Sequence, residues 1–310
     1  HRDLHSFPTR RSSDLLFRLE QDAHGLADRL PDLLLDAKRI ASTVAHGVHG
    51  RRRSGPGETF WQFRQFQSSD TAQMVDWRRS ASSEHLYVRE REWEAALTIW
   101  LWSDLSPSMG FKSHLAPVTK RERALVLMLA AAELLVRGGE RVALMSLTTP
   151  TASRKATTRM LESIVANIQT PNVKKSRPPA TTVNRFSSVL LFGDFLAPIP
   201  AIRERIETIA AAGAAGHIVQ VLDPAEETLP YEGRIEFHGP SGRERWISDR
   251  TESIRSEYRQ RLEAHRAEVA TIATRLGWTF MLHHTDRPAT EALLALITQL
   301  HGPAGGYRWQ

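Results

Sequence analysis

Ala96-Leu97-Thr98-Ile99-Trp100-Leu101-Trp102-Ser103-Asp104-Leu105-Ser106-Pro107-Ser108-Met109-Gly110 is the stretch whose reading decides the fold. Its first half is a continuous run of apolar, β-branched and aromatic residues, the composition of a strand buried on both faces. Its second half breaks into turn residues and carries Asp104, Ser106 and Ser108 in an Asp-x-Ser-x-Ser spacing. A strand that stops on an acid and two hydroxyls sets three hard oxygen donors on one tight loop. Such donors suit Mg²⁺ or Mn²⁺, and weak hydroxyl ligands leave the ion water and an open position. The same residues also suit a plain turn, with Asp104 capping the next helix and the serines satisfying local backbone groups.

Outward from this stretch, strands and helices alternate. The spacing predicts a helix over Lys120–Arg137 closed by Gly138-Gly139, a strand over Arg141–Leu147, and a helix over Thr157–Ile168. A second apolar strand, Ser187–Gly193, ends on Asp194, and a helix follows over Pro198–Ala212. His217–Leu222 is a strand ending on Asp223. A long helix over Thr251–Leu276, a strand over Trp278–His283 and a helix over Ala289–His301 complete the series. Alternation of this kind means a doubly wound, mostly parallel sheet with helices on both faces. Residues 233–247, with Gly239-Pro240-Ser241-Gly242 at their middle, read as a β-hairpin inserted into that α/β domain of residues 96–303.

Upstream the texture differs. Residues 16–47 read as N-terminal helices, with Leu26, Leu30, Leu33, Leu34, Ala37, Ile40 and Val44 at helical spacing and Pro31 at a helix start. Residues 48–95 read as a small β-rich module. Its strands are centred on Phe60–Phe66 and Leu86–Trp93, and Arg64, Asp70, Asp76 and Arg78 form a candidate ion-pair network. Trp77, Trp93, Trp100 and Trp102 are assigned to packing rather than to ligand stacking. Residues 1–15 resemble the translation of a common sequencing adapter and are set aside as an artefact, with the natural N-terminus expected to be missing.

Composition narrows the chemistry. The chain has 310 residues, 41% of them hydrophobic and 25% charged, as expected of a globular protein. It has no cysteine, which excludes disulfides, thiolate zinc sites and Cys nucleophiles. The formal net charge of +6 comes from arginines dispersed among acids, and Arg51–Arg53 and Lys174-Lys175 are separate clusters outside any nucleic-acid motif. Nucleic acid is therefore not an expected partner. No apolar run nears the roughly 20 residues of a membrane helix, so no membrane anchor is visible and the expected location is cytoplasmic, with membrane association only through partners. His1-Arg2-Asp3-Leu4 mimics a kinase catalytic loop, but Pro8 stands where Asn is required. His265, His283 and His284 lack metal-ligand spacing.

Two of these strands, both continuous apolar runs, thus end on Asp104 and Asp194. If those strands are neighbours, both carboxylates face one crevice outside the carboxyl ends of the sheet, where open α/β sheets bind ligands. A threonine would complete a mixed oxygen shell. Thr157 is the first candidate and Thr158 the second, each equally able to serve as a helix cap.

Residues 47–110 carry Gly55-Pro56-Gly57-Glu58-Thr59-Phe60, Arg64-Gln65-Phe66, Ser69-Asp70, Val75-Asp76-Trp77-Arg78, Val88-Arg89-Glu90 and Asp104-Leu105-Ser106-Pro107-Ser108. In this combination they resemble the bacterial domain-of-unknown-function 58 family, a von Willebrand factor A-like group associated with MoxR-type AAA+ ATPases. The resemblance continues through Phe192-Gly193-Asp194-Phe195 and Val221-Leu222-Asp223-Pro224-Ala225-Glu226. Ser69 stands where the family usually has Gly, and Gln73 where Arg is common. The resemblance implies a von Willebrand factor A-like fold and a metal-ion-dependent adhesion site binding Mg²⁺ or Mn²⁺. Asp104, Ser106 and Ser108 match its first motif and Asp194 its later acid, while the threonine motif has no clean match.

The implied function is a non-enzymatic protein-interaction module. It would work with a MoxR-type AAA+ ATPase in protein assembly or maturation and take a client carboxylate at the open metal position. The alternative is a metal-assisted hydrolase using the same carboxylates. Against it, no second acid stands two residues after Asp104, and Ser106 and Ser108 lack a Gly-x-Ser-x-Gly elbow.

Overall fold

The computed structural model describes residues 29, 31–45, 60–66, 75–81, 83, 85–91, 96–167, 176–239 and 244–300, with main chain only at 60–64 and 89–91. The chain divides into two compact units, residues 49–96 and the remainder. Residues 1–15, Asp70 and Trp93 lie outside the described residues.

The larger unit is built on five parallel strands: β3 (Thr98–Ser103), β4 (Arg141–Leu144), β5 (Ser188–Gly193), β6 (Ala215–Leu222) and β9 (Thr279–His284). They lie in the order β4-β3-β5-β6-β9. Every residue of β5 is buried, and all but Ser188 are apolar or glycine, as a strand covered on both faces requires. Thr151 pairs antiparallel with Val142 and covers the outer edge of β4.

One face is covered by α1 (residues 31–45), α3 (Lys120–Arg137), α4 (Ala156–Asn167) and α8 (Ala289–Leu300). The other is covered by α5 (Ile199–Ala211) and α7 (Thr251–Arg275), with Trp100 and Trp102 in that layer's core. α3 is apolar on nearly every side, from Ala124 to Ala132, and is accordingly buried. Its start is set by a capping box: Thr119 Oγ1 accepts from Glu122 N at 3.2 Å, and Glu122 Oε2 accepts from Thr119 N at 2.9 Å. α1 stands within this unit's core through Leu33, Ala37, Ala41 and Val44, so it belongs to the α/β body rather than to a segment of its own. Among the described residues no helix is long and apolar enough to cross a membrane.

The predicted hairpin is present as β7 (Ile235–His238) paired antiparallel with β8 (Arg245–Ser248). A short helix, α6 (Pro224–Thr228), precedes it and is capped by Asp223.

In the smaller unit, β1 (Phe60–Gln65) pairs antiparallel with β2 (Tyr87–Arg91), with a register shift between Phe60 and Gln62. Between them α2 (Trp77–Ser80) starts on Asp76, whose Oδ1 accepts from Arg79 N at 3.0 Å. Asp76 therefore acts as a helix cap. Trp77 departs from expectation: its side chain is largely exposed rather than packed.

Candidate functional site

The crossover pattern places the site. From β3 the chain runs to β4 on one side, and later to β5 on the other, so the loops leaving β3 and β5 diverge. The crevice they leave at the carboxyl edge is where doubly wound sheets bind ligands. Asp104 and Asp194 are the first residues beyond these two neighbouring strands, and Asp104 N donates to Phe192 O at 2.8 Å. Both acids are fully buried.

Asp104 Oδ1 accepts from Ser106 N at 2.7 Å, which turns the loop. Its Oδ2 is buried and takes no hydrogen bond among the described residues. Ser106 Oγ and Ser108 Oγ lie 3.0 Å apart. Burial, and then the neighbouring Asp194 charge, push the Asp104 carboxyl up to about 7. Gly193 is required beside it: a Cβ there would stand 2.9 Å from Asp104 Cβ.

Asp194 is held differently. Its Oδ2 accepts from Lys120 Nζ at 3.0 Å, and its Oδ1 accepts from Leu196 N at 3.3 Å. Lys120 Nζ also donates to Glu226 Oε1 at 2.6 Å. Lys120 is the first residue of α3 and is fully buried. Burial alone would lower its pKa, but Asp194 and Glu226 more than offset this and raise it, so it stays an ammonium. Phe195, next in the chain, is buried at φ +50, a strained conformation for a bulky residue. It is clamped by a 2.7 Å hydrogen bond between its carbonyl and His265 Nε2 and by edge contact with Trp102. The third strand-end acid, Asp223, is satisfied, accepting from Ala225 N at 2.9 Å and Ser113 N at 2.8 Å.

The family model described as Protein of unknown function DUF58 matches residues 62–268, about two thirds of the chain. The chain belongs to this family. Two uncharacterized proteins, one of Mycobacterium tuberculosis and one of Mycobacterium bovis, are each 29% identical to it over 286 residues, 88% of this chain and 89% of theirs. Among solved structures, a conserved hypothetical protein BatB from Bacteroides thetaiotaomicron and an aerotolerance-related membrane protein from Bacteroides fragilis are each 15% identical. The matches cover 66% of this chain and 99% of each of theirs, with TM-scores of 0.38 and 0.41. Similarity that remote carries no argument.

Thr157 does not join the other predicted site residues of this DUF58 chain. It is buried, and its Oγ1 donates to Glu133 Oε2 at 3.1 Å. Glu133 stands on α3 thirteen residues beyond Lys120, about 20 Å along a helix. The cause is the Val142–Thr151 pairing, which returns the chain toward the amino edge of β4 before α4 begins.

Lys120 and Glu226 are the participants that motif reading missed. One local signal pointed to Lys120. A cation in the first turn of a helix opposes the macrodipole, so a buried Lys there needs carboxylate partners.

The donor set fits a hard divalent cation on the Asp104 side. Asp104 offers an unpartnered buried oxygen beside two hydroxyls, and a single ammonium stands among Asp104, Asp194 and Glu226. Among the described residues no cluster of three or more His, Cys, Asp and Glu is placed to hold a metal, so hydroxyls and water would have to complete the shell.

Proposed function

We propose that this DUF58 protein is a non-enzymatic interaction module that docks other proteins at the carboxyl-edge crevice through a bound Mg²⁺ or Mn²⁺. Asp104, Ser106 and Ser108 would hold the ion, while Asp194 stays paired with Lys120 and orders the loop. The bound cation supplies a Lewis-acidic position for a client carboxylate. The observation that supports this reading is the unpartnered Oδ2 of Asp104, buried beside two hydroxyls at the switch point of the sheet. Family resemblance supplies the expected context, a MoxR-type AAA+ ATPase acting in protein assembly or maturation, in the cytoplasm or at a membrane through partners. Hydrolysis is the weaker reading, because Asp194, the carboxylate needed as a second base, is already bonded to Lys120.

Calorimetric titration with Mg²⁺ and Mn²⁺ tests the proposal. The unmutated protein is expected to give ion-binding heat, and Asp104→Ala, checked for folding by its melting curve, to give none. A folded unmutated protein that gives no heat with either ion overturns it.

A further inference from the structure

A crevice of about 480 Å³ opens beside the loop, within the range of ordinary ligand pockets. Ser108, Asp194 and Glu226 line its polar side, and Phe111 and Leu196 its apolar side. Phe111 is 39% exposed and Leu196 37%, although each is tied by its backbone to the polar residues. Phe111 N donates to Ser108 O at 3.3 Å and Phe111 O accepts from Lys120 N at 3.2 Å. Leu196 N donates to Asp194 Oδ1 at 3.3 Å. The main chain at both apolar residues is therefore anchored to the polar residues of the same crevice.

The charge of the floor restricts the occupant. Two carboxylates, Asp194 and Glu226, share the single Lys120 ammonium, so a partner's carboxylate is repelled unless a further cation intervenes. Given such an ion, a bare carboxylate would leave Phe111 and Leu196 in water. A segment that also carries a large apolar side chain covers them and gains the burial.

We infer that the crevice reads a short partner segment in which Asp or Glu stands within two residues of a large apolar residue. The carboxylate goes to the ion position, and the apolar side chain packs between Phe111 and Leu196. This rests on the ion-binding reading above and adds the identity of what is recognised.

The test uses the full chain and labelled peptides: Gly-Gly-Asp-Leu-Phe-Gly-Gly, the same peptide with Leu-Phe replaced by Gly-Gly, and a third with Lys in place of Asp. Fluorescence anisotropy is read in Mg²⁺ and in chelator. The acid–apolar peptide is expected to bind in Mg²⁺ about tenfold or more tighter than the acid–glycine peptide, and to be released by chelator. Phe111→Ser and Leu196→Ser should remove that advantage while leaving the Mg²⁺ titration heat unchanged. Equal binding of the two acid peptides in Mg²⁺, or variants that keep the advantage, overturns the inference while the ion site stands. Absence of Mg²⁺ heat overturns the ion reading itself. Tight binding of the Lys peptide in chelator overturns both, assigning the acids to a basic side chain.

Discussion

Lys120 shows how one residue sets the balance of the site. Its ammonium is the internal cation between Asp194 and Glu226, and all three groups are withdrawn from water to a large degree. Lys120→Met should leave two carboxylates facing each other in the interior. A loss of about 3–5 kcal/mol in chemical denaturation is expected, the usual result of breaking a buried pair from one side. An unchanged midpoint would mean that the ammonium is dispensable.

His217 gives a pH dependence of definite sign. Burial pushes it down to about 4, while its Nδ1 lies 2.8 Å from Thr279 Oγ1. In the unfolded chain it titrates near its ordinary value of about 6.5. Between these values the unfolded state binds a proton that the folded state does not. Stability is therefore full above about pH 6.5 and is lost as pH falls toward 4, by about 3 kcal/mol from this residue. His283, pushed down to about 3 by burial and then by the charges of Arg123 and His284, adds to the same trend. Asp104, pushed up to about 7, acts in the opposite sense over the same range, so the histidine contribution is read by comparison: urea midpoints at about pH 5 and about pH 7 should show His217→Gln losing less stability on acidification than the unmutated protein.

At the scale of elements, α3 and α4 separate what was readable from what was not. α3 runs over Lys120–Arg137 as its apolar content and its Thr119–Glu122 box predict, because capping and helical burial are local properties. α4 also begins within a residue of expectation, at Ala156. The edge of the sheet at which it begins was not readable. Eleven residues separate β4 from α4, and their path back along Val142 is a tertiary pairing that turn chemistry does not dictate. Thr157 consequently serves Glu133 and stands apart from Asp104. Thr157→Val should leave the Mg²⁺ titration of the protein unchanged and lower stability by about 1 kcal/mol, the worth of an ordinary hydrogen bond. Loss of ion binding in that variant would return Thr157 to the ligand set.

At the scale of the molecule, the α/β unit is completed from outside the alternating segment. α1 places Leu33, Ala37, Ala41 and Val44 in the core that α3, α4 and α8 share. A chain shortened to begin at Ala96 should therefore expose apolar surface and lose several kcal/mol of stability. Its melting temperature is expected to fall and dye binding to exposed apolar surface to rise. Full stability of the shortened chain would show that α1 is peripheral. That helix was legible as amphipathic from its spacing, whereas its membership of this core depends on a neighbour more than 80 residues away.

By itself the sequence determined the parallel α/β architecture, the bounds of the long helices, and Asp104 and Asp194 at the ends of buried strands. These follow from period, capping and turn chemistry, which act over a few residues. By contrast, β4 stops at Leu144 rather than Leu147, and the short helices α2 and α6 were not read. Tertiary structure alone decided that β3 and β5 are neighbours, that Thr157 faces Glu133, and that Lys120 bridges Asp194 and Glu226 across 74 and 106 residues of chain. Those outcomes depend on strand order and crossover path, which emerge only when distant segments compete to bury the same surface.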